Sequence, residues 1–333
     1  MMAGLTDLAC DERAARMLLS LLVNPNDPVT GHLLAQFGAV ETLWFVEHDC
    51  AVVGLSSVDA QVWWGHFDVP AVKGIASRLD QVQRSGVRAL IPGDADWLVA
   101  LDDRGEGAPD VLWARGASSL LAHPVQDFIM IAGHALPLPT ATILPANLPF
   151  RWLRTSALSS SVGAYGIDGA VHQAALAAGG GTIAILAYGV DRPYPAGHRD
   201  LLERMADVGL LISEVPPGAV PTRHRFIARG RLMAALSFTT VVVEAGSRSG
   251  SLVVVRHAFE LGRGVGAVPG SVTSAASIGS HRLLRDGTAS LVADRSDLAR
   301  LAERGTGHRV SVPRAQSKVD RLRAAMPAPA HTL

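Results

Sequence analysis

The chain carries its chemistry in a few turns. Between Glu244 and Gly270 it reads EAGSRSGSLVVVRHAFELGRGVGAVPG, an Arg-Ser-Gly-Ser turn set between a run of valines and an amphipathic stretch. In such a turn Gly246 and Gly250 allow a tight bend, Ser249 and Ser251 offer hydroxyls, and the following helix start presents N–H groups. Arg248 adds a charge-assisted bond, so the turn suits a phosphate-sized anion. The same residues also suit a plain strand-to-helix turn capped by serine. Between Pro221 and Arg231, PTRHRFIARGR gathers Arg223, Arg225, Arg229 and Arg231 around Phe226. Arginines that neutralise phosphates beside a ring that stacks on a base are what a single-stranded nucleic acid site requires. The alternative is a solvated helix start whose arginines pair with Glu214 and Asp207. A third turn, GAYGIDGAVH, places Gly163 and Gly166 where the backbone must bend and Asp168 where it could cap a helix. Its G-x-x-G-x-x-G spacing is not the dinucleotide fingerprint.

No nucleophile is paired with a base: G-x-S-x-G, H-E-x-x-H and cysteine–histidine arrangements are absent from the sequence. No catalytic residue, metal or cofactor is therefore expected. His172, inside a helical stretch, reads as a packing or surface residue rather than an acid–base catalyst. Cys10 and Cys50 have neither metal-ligand nor disulfide spacing, which fits a reducing compartment. Thirty basic and thirty acidic residues cancel, so any basic site must be local. The start lacks a signal-peptide pattern and no apolar run could span a bilayer, which leads to the expectation of a cytoplasmic protein without membrane contact.

These turns need a frame. Over residues 1–80, DERAARMLLSLLVNP and TGHLLAQFGAVETLW show helical periodicity broken by NPNDP, which predicts a small helical module, either a DNA-touching hairpin or an ordinary packed pair. A connector with one or two short strands follows, then the strand DFIMIAG. Beyond Gly163 strands and helices alternate: helix 167–178, strand TIAILAYG, helix 198–208, strand LLISEVP, helix 226–237, strand TTVVVEAG, helix 251–261, strand VGAVPG. That alternation predicts an α/β fold, an extended Rossmann-like parallel sheet over 81–300, with ligands at the carboxyl ends of its strands. Residues 301–333 read as a polar, Ala- and Pro-rich C-terminal tail.

The stretches GAYGIDGAVHQAALAAGGGTIAILAYGVDRPYPAGH, LLISEVPPGAVPTRHRFIARGRLMAALS, VVVEAGSRSGSL and AVPGSVTSAASIGSHRLLRDG, in this order over residues 163–292, resemble the DNA-processing protein A (DprA/Smf) family. The resemblance implies single-stranded DNA binding, a homodimer, delivery of a RecA-type recombinase to DNA during natural transformation, and no catalysis. It implies that Gly163, Gly166, Asp168, Arg248, Ser249, Gly250 and Ser251 line the DNA pocket. Arg223, Arg225, Phe226, Arg229 and Arg231 would contact the strand, and Tyr194 and Arg199 would belong to the same surface. The competing class is a nucleotide-binding enzyme with Glu244 as catalyst. Gly230 stands where the family has Asn.

The larger departure is residues 133–161, GHALPLPTATILPANLPFRWLRTSALSSS. The family has there a Gly-x-Arg loop, an amphipathic helix and a strand ending in Ser-Gly, whereas Pro137, Pro139, Pro145 and Pro149 cannot share one helix interior. Equal length with foreign composition points to two compensating frameshifts and to a degraded copy. This stretch is expected to be irregular chain.

Overall fold

The computed structural model describes residues 4–48, 52, 55–67, 74–133 and 158–304. Five helices come first: α1 (Leu5–Leu8), α2 (Glu12–Leu22), α3 (Pro28–His48), α4 (Ser57–Trp64) and α5 (Ile75–Arg84). The Asp11 carboxylate accepts from Ala14 N at 2.7 Å and starts α2. Inside α3, Gly38 adopts φ 80°, a conformation L side chains resist, and splits the helix. The second half restarts at Ala39, whose N–H reaches the Glu12 carboxylate at 2.9 Å. LAQFGAVETLW is thus a helix pair hinged on glycine, packed by Leu18, Leu19, Leu33 and Leu43, all inaccessible to solvent. The same hydrophobic cluster continues into Ala184, Leu186, Tyr188 and Met205, so the helical module is seated on one face of the sheet that follows.

That sheet has nine strands among the described residues, β1 (Arg88–Leu90), β2 (Leu112–Gly116), β3 (Phe128–Ala132), β4 (Leu158–Ser161), β5 (Thr182–Leu186), β6 (Leu210–Ser213), β7 (Thr239–Val242), β8 (Gly264–Ala267) and β9 (Ser290–Leu291), in the spatial order β1-β2-β6-β5-β4-β3-β7-β8-β9. β1 and β2 pair antiparallel at one edge; every pair from β6–β5 to β8–β9 is parallel. The crossovers are α6 (Ile167–Ala177), α7 (Arg199–Val208), α8 (Arg223–Ala235), α9 (Ser251–Glu260) and α10 (Ile278–Arg285), followed by α11 (Arg295–Arg304). Strands covered on both faces bury every residue, and β5, β6, β7 and β8 do so. The predicted α/β, Rossmann-like sheet behind a helical module is what is observed.

One expectation needs correcting. Leu158–Ser161, the end of the stretch expected to be irregular, is a buried parallel strand whose Ser159 and Ser160 pair with β3 and β5. Three serines look unlike a core strand, yet each hydroxyl is satisfied: Ser159 Oγ donates to Thr182 Oγ1 at 3.0 Å, Ser160 Oγ to Ile129 O at 3.3 Å and Ser161 Oγ to Ile131 O at 2.8 Å. The four prolines, and the tail after Arg304, lie outside the described residues.

Candidate nucleic-acid interface

Strand order reverses at β3, which has β4 on one side and β7 on the other. In open parallel sheets such a switch point opens a crevice at the carboxyl ends of the strands. A cleft of about 980 Å³ lies there, bounded by Ala132 and Gly133 after β3, Val162 and Ala164 after β4, the 246–251 turn after β7, and α8.

Of the residues the sequence nominated, Asp168, Arg223, Phe226, Arg229, Arg248, Ser249, Gly250 and Ser251 line this cleft. Arg223 and Arg248 are exposed, and Phe226 is 40% exposed. Arg229 places its guanidinium carbon 5.1 Å from the Phe226 ring centroid, a cation–π contact. It donates one long bond to Ile185 O at 3.4 Å, while its buried Nε has no acceptor among the described residues. Burial lowers its pKa to about 10, against the opposing pull of Asp168 and Tyr188, so it stays cationic at neutral pH.

The 246–251 turn differs in detail from expectation. Gly250 has φ −61°, the ordinary helical region, and an added Cβ there would meet nothing within 4 Å, so it leaves open approach rather than a forced bend. Leu252 N and Val253 N already donate to Ser249 O and Gly250 O at 3.2 and 3.0 Å. The donors the turn could offer an anion are therefore mainly side chains: Arg248 and the Ser249 and Ser251 hydroxyls, whose oxygens lie 2.7 Å apart.

Asp168 does not cap α6. The N-cap position is Gly166, with φ 80°, and makes no side-chain bond. The Asp168 carboxyl instead sits 2.7 Å from Ser161 Oγ, a hydroxyl also 2.8 Å from Ile131 O. One hydroxyl hydrogen cannot serve both acceptors; a protonated Asp168 donating to Ser161 Oγ satisfies all three groups. Burial raises the Asp168 pKa to about 7, with Ser161 and Arg229 pulling the other way. Of the two roles open to His172, packing and surface, the structure shows packing. The ring is buried between Val162 O at 3.2 Å and Thr182 Oγ1 at 2.8 Å, and burial depresses its pKa to about 4.

Two arginines of the cluster are turned elsewhere. Arg231 is buried, pairs with Glu214 and bonds Asn26 of the NPNDP turn. Arg225 donates to Val220 O at 2.7 Å and to Asn24 Oδ1 at 3.5 Å. The pairing alternative is thus right for Arg231 with Glu214, and both arginines fasten α8 to the helical module rather than line the cleft. Gly163, Gly166, Tyr194 and Arg199 are not cleft-lining residues either; the last two are exposed on the loop after β5 and at the start of α7. Glu244 is buried and also outside the lining. Sequence reasoning missed the apolar walls, Ile227, Met233, Val253 and Ile278, because only the α8–α9 packing and the docking of Gly279 N, at the start of α10, on Ala245 O bring them to the mouth. It also missed Asn24 and Asn26, whose signal was a polar turn between two helices.

A doubly wound α/β sheet carries at its switch point an arginine- and serine-lined cleft with an aromatic ring exposed inside it, a lining whose chemistry suits an anion beside a base. The family model described as DNA recombination-mediator protein A matches residues 88–303, and the chain belongs to that family. It is similar to a Mycobacterium tuberculosis protein named DNA processing protein DprA, 43% identical over 233 residues, which are 67% of this chain and 59% of that protein. The Bacillus subtilis DNA processing protein DprA is 33% identical over 208 residues, covering 62% of this chain and 68% of that protein. The chain therefore spans about three fifths of the length of the mycobacterial relative. The solved structure of DNA processing protein A from Streptococcus pneumoniae superposes with a TM-score of 0.68 at 26% identity, covering 87% of this chain and 97% of that one. A Helicobacter pylori DNA processing protein A, whose structure was described for its single-stranded DNA binding mode, gives 0.56 at 26% identity over 65% and 94%. Among the described residues no three His, Cys, Asp or Glu side chains could together hold a metal, and no helix is long and apolar enough to cross a membrane.

Proposed function

We propose that this protein binds single-stranded DNA in the switch-point cleft and acts as a recombination mediator, as a cytoplasmic homodimer delivering the strand to a RecA-type recombinase, without catalytic turnover. The observation that carries the reading is the Arg229–Phe226 pair: a part-buried cation in contact with an exposed phenylalanine, lining a cleft that also holds Arg223, Arg248 and two serine hydroxyls. The cleft walls are apolar and suit a base face, while the three arginines suit the backbone. The single-stranded DNA binding described for the Helicobacter pylori relative supports the same assignment. Glu244, the candidate catalyst of the enzyme reading, lies outside the cleft lining among the described residues, which weighs against chemistry on a nucleotide there.

The test is fluorescence anisotropy with labelled oligo-dT and with duplex of the same length. Preference for the single strand, weakened by Phe226→Ala and by Arg248→Ala, is expected. Equal affinity for duplex and single strand, or indifference to both substitutions, would sink the assignment.

A further inference from the structure

Beside the cleft, on the loops that follow β4 and β5, stand two tyrosines with their rings in solvent: Tyr165 is 43% and Tyr194 47% exposed. Neither is a stray surface side chain. The Tyr165 hydroxyl accepts from Gly197 N at 3.1 Å, and its ring meets His198 edge-on, centroids 4.6 Å apart. His198 Nδ1 in turn donates to Gly163 O at 3.2 Å, which ties the loop after β5 to the loop after β4. Tyr194 leans on the buried Tyr188 ring at 5.5 Å and 73°, and the Tyr188 hydroxyl donates to the Tyr194 carbonyl. Each exposed ring is therefore held at its edge or its backbone while much of its surface stays open to solvent.

The position of these rings matters. Tyr165 follows Ala164, a cleft residue, by one position. The loop that carries Tyr194 is joined to this edge of the cleft, since Gly197 N donates to the Tyr165 hydroxyl and His198 Nδ1 to Gly163 O. Ala164 of the cleft, Tyr165 and the loop of Tyr194 thus lie together at the carboxyl ends of β4 and β5, with the exposed Arg192 and Arg199 bracketing Tyr194 in sequence. Pre-fixed aromatic faces next to arginines are how proteins extend a grip on single strands without reading sequence, because every base has a π face and a fixed ring loses little entropy on stacking.

From this we infer that Tyr165 and Tyr194 form a second base-stacking ledge, which holds the single strand as it leaves the Phe226 cleft. The inference rests on the strand-binding reading above and adds a subsite to it. The ledge takes nucleobases of a single strand; a duplex, with its bases stacked inward, gains nothing there.

Two measurements test it. The first uses the wild-type protein: a strand carrying 5-iodouracil along its length is irradiated on the protein and the crosslinked peptides are sequenced. Crosslinks at Phe226 together with Tyr165 or Tyr194 are expected. A crosslink at Phe226 alone overturns the ledge and leaves the cleft standing, whereas no crosslink at any of the three removes the cleft assignment and the ledge with it. The second compares oligo-dT of about 20 nucleotides with oligo-dT of about 4, the two ends of the range of single-strand site sizes. Tyr165→Ala and Tyr194→Ala are each expected to weaken the long strand by about 5- to 100-fold and leave the short one within about two-fold, as stacking on one base predicts. Tyr165→Phe and Tyr194→Phe, which keep the ring, are expected to bind as wild type, and the salt slope of all four variants is expected to be unchanged because no phosphate contact is lost. Wild-type affinity of the double Ala variant for the long strand overturns the inference. So does an equal loss on short and long strands, which marks a structural role, and so does a Phe variant as weak as its Ala counterpart.

Discussion

Replacing Asp168 by Asn isolates the cost of a buried carboxylate at the cleft. Asp168 is 4% exposed, and burial lifts its pKa to about 7 from an ordinary value near 3.8. Because the folded pKa lies above the unfolded one, the folded state holds the proton more tightly. The stability this contributes is full below about pH 4 and is lost as pH rises through 7. Linkage over a shift of about three units gives about 4 kcal/mol in all, of which about 2.5 kcal/mol falls between pH 5 and pH 8. Asn cannot ionise, and its amide can donate to Ser161 Oγ as the protonated acid does. Other groups titrate in the same window: Asp110, also raised to about 7 by burial, adds a slope of the same sign, and His172, depressed to about 4, adds one of opposite sign. The variant shares both, so the difference between the two proteins belongs to Asp168. Urea unfolding at pH 5 and pH 8 measures it. The variant should gain on the wild type by about 2.5 kcal/mol between the two pH values. If the stability difference is the same at both, Asp168 does not carry a raised pKa and the hydrogen-bond argument around Ser161 is wrong.

Three further outcomes follow from the same geometry. Glu214→Ala strands the buried Arg231 without its partner and should cost about 3 to 5 kcal/mol in urea unfolding, whereas Arg231→Met should leave the salt slope of DNA binding untouched; a shallower slope would return Arg231 to the strand contacts. Gly230→Asn should be accommodated, since a Cβ at Gly230 would meet Val253 Cγ1 at 3.5 Å and Gly is the poorest helix former after proline; a gain of about 0.3 kcal/mol and tighter DNA binding are expected, and a lower melting midpoint would show that the side chain does not fit against α9. The nucleotide sequence behind residues 134–157, translated in its other frames, should encode a Gly-x-Arg loop and a proline-free amphipathic helix, with the native frame restored before Leu158; if neither frame contains that pattern, the frameshift account fails.

The parallel core was legible because burial on both faces writes strands as unbroken apolar runs, as in TIAIL and TTVV. β4 was not, because Leu-Ser-Ser-Ser reads as a loop until the carbonyls of Ile129 and Ile131 and the hydroxyl of Thr182 are seen to satisfy it. The start of α8 was placed three residues late: its cap is Thr222, whose hydroxyl accepts from Arg225 N at 3.3 Å, and a threonine beside four arginines does not announce itself. Local spacing gathered the arginines of α8 but could not divide them between the cleft and the helical module. Arg231 finds Glu214 seventeen positions away and Asn26 at the far end of the chain, and only the seating of the helical module on the sheet brings these together. The Arg248–Ser251 turn was legible since all its parts are neighbours in sequence.

The central claim is that Arg223 and Arg248 neutralise phosphates of a single strand whereas Arg225 and Arg231 do not. The most direct test is the slope of log affinity for oligo-dT against log salt concentration. Each phosphate contact on a single strand contributes about 0.7 to that slope, so Arg223→Ala with Arg248→Ala should flatten it by about 1.4. Arg225→Ala with Arg231→Met should leave it within error of the wild type. An unchanged slope in the first pair, or an equal flattening in the second, would contradict the placement of the strand in the switch-point cleft.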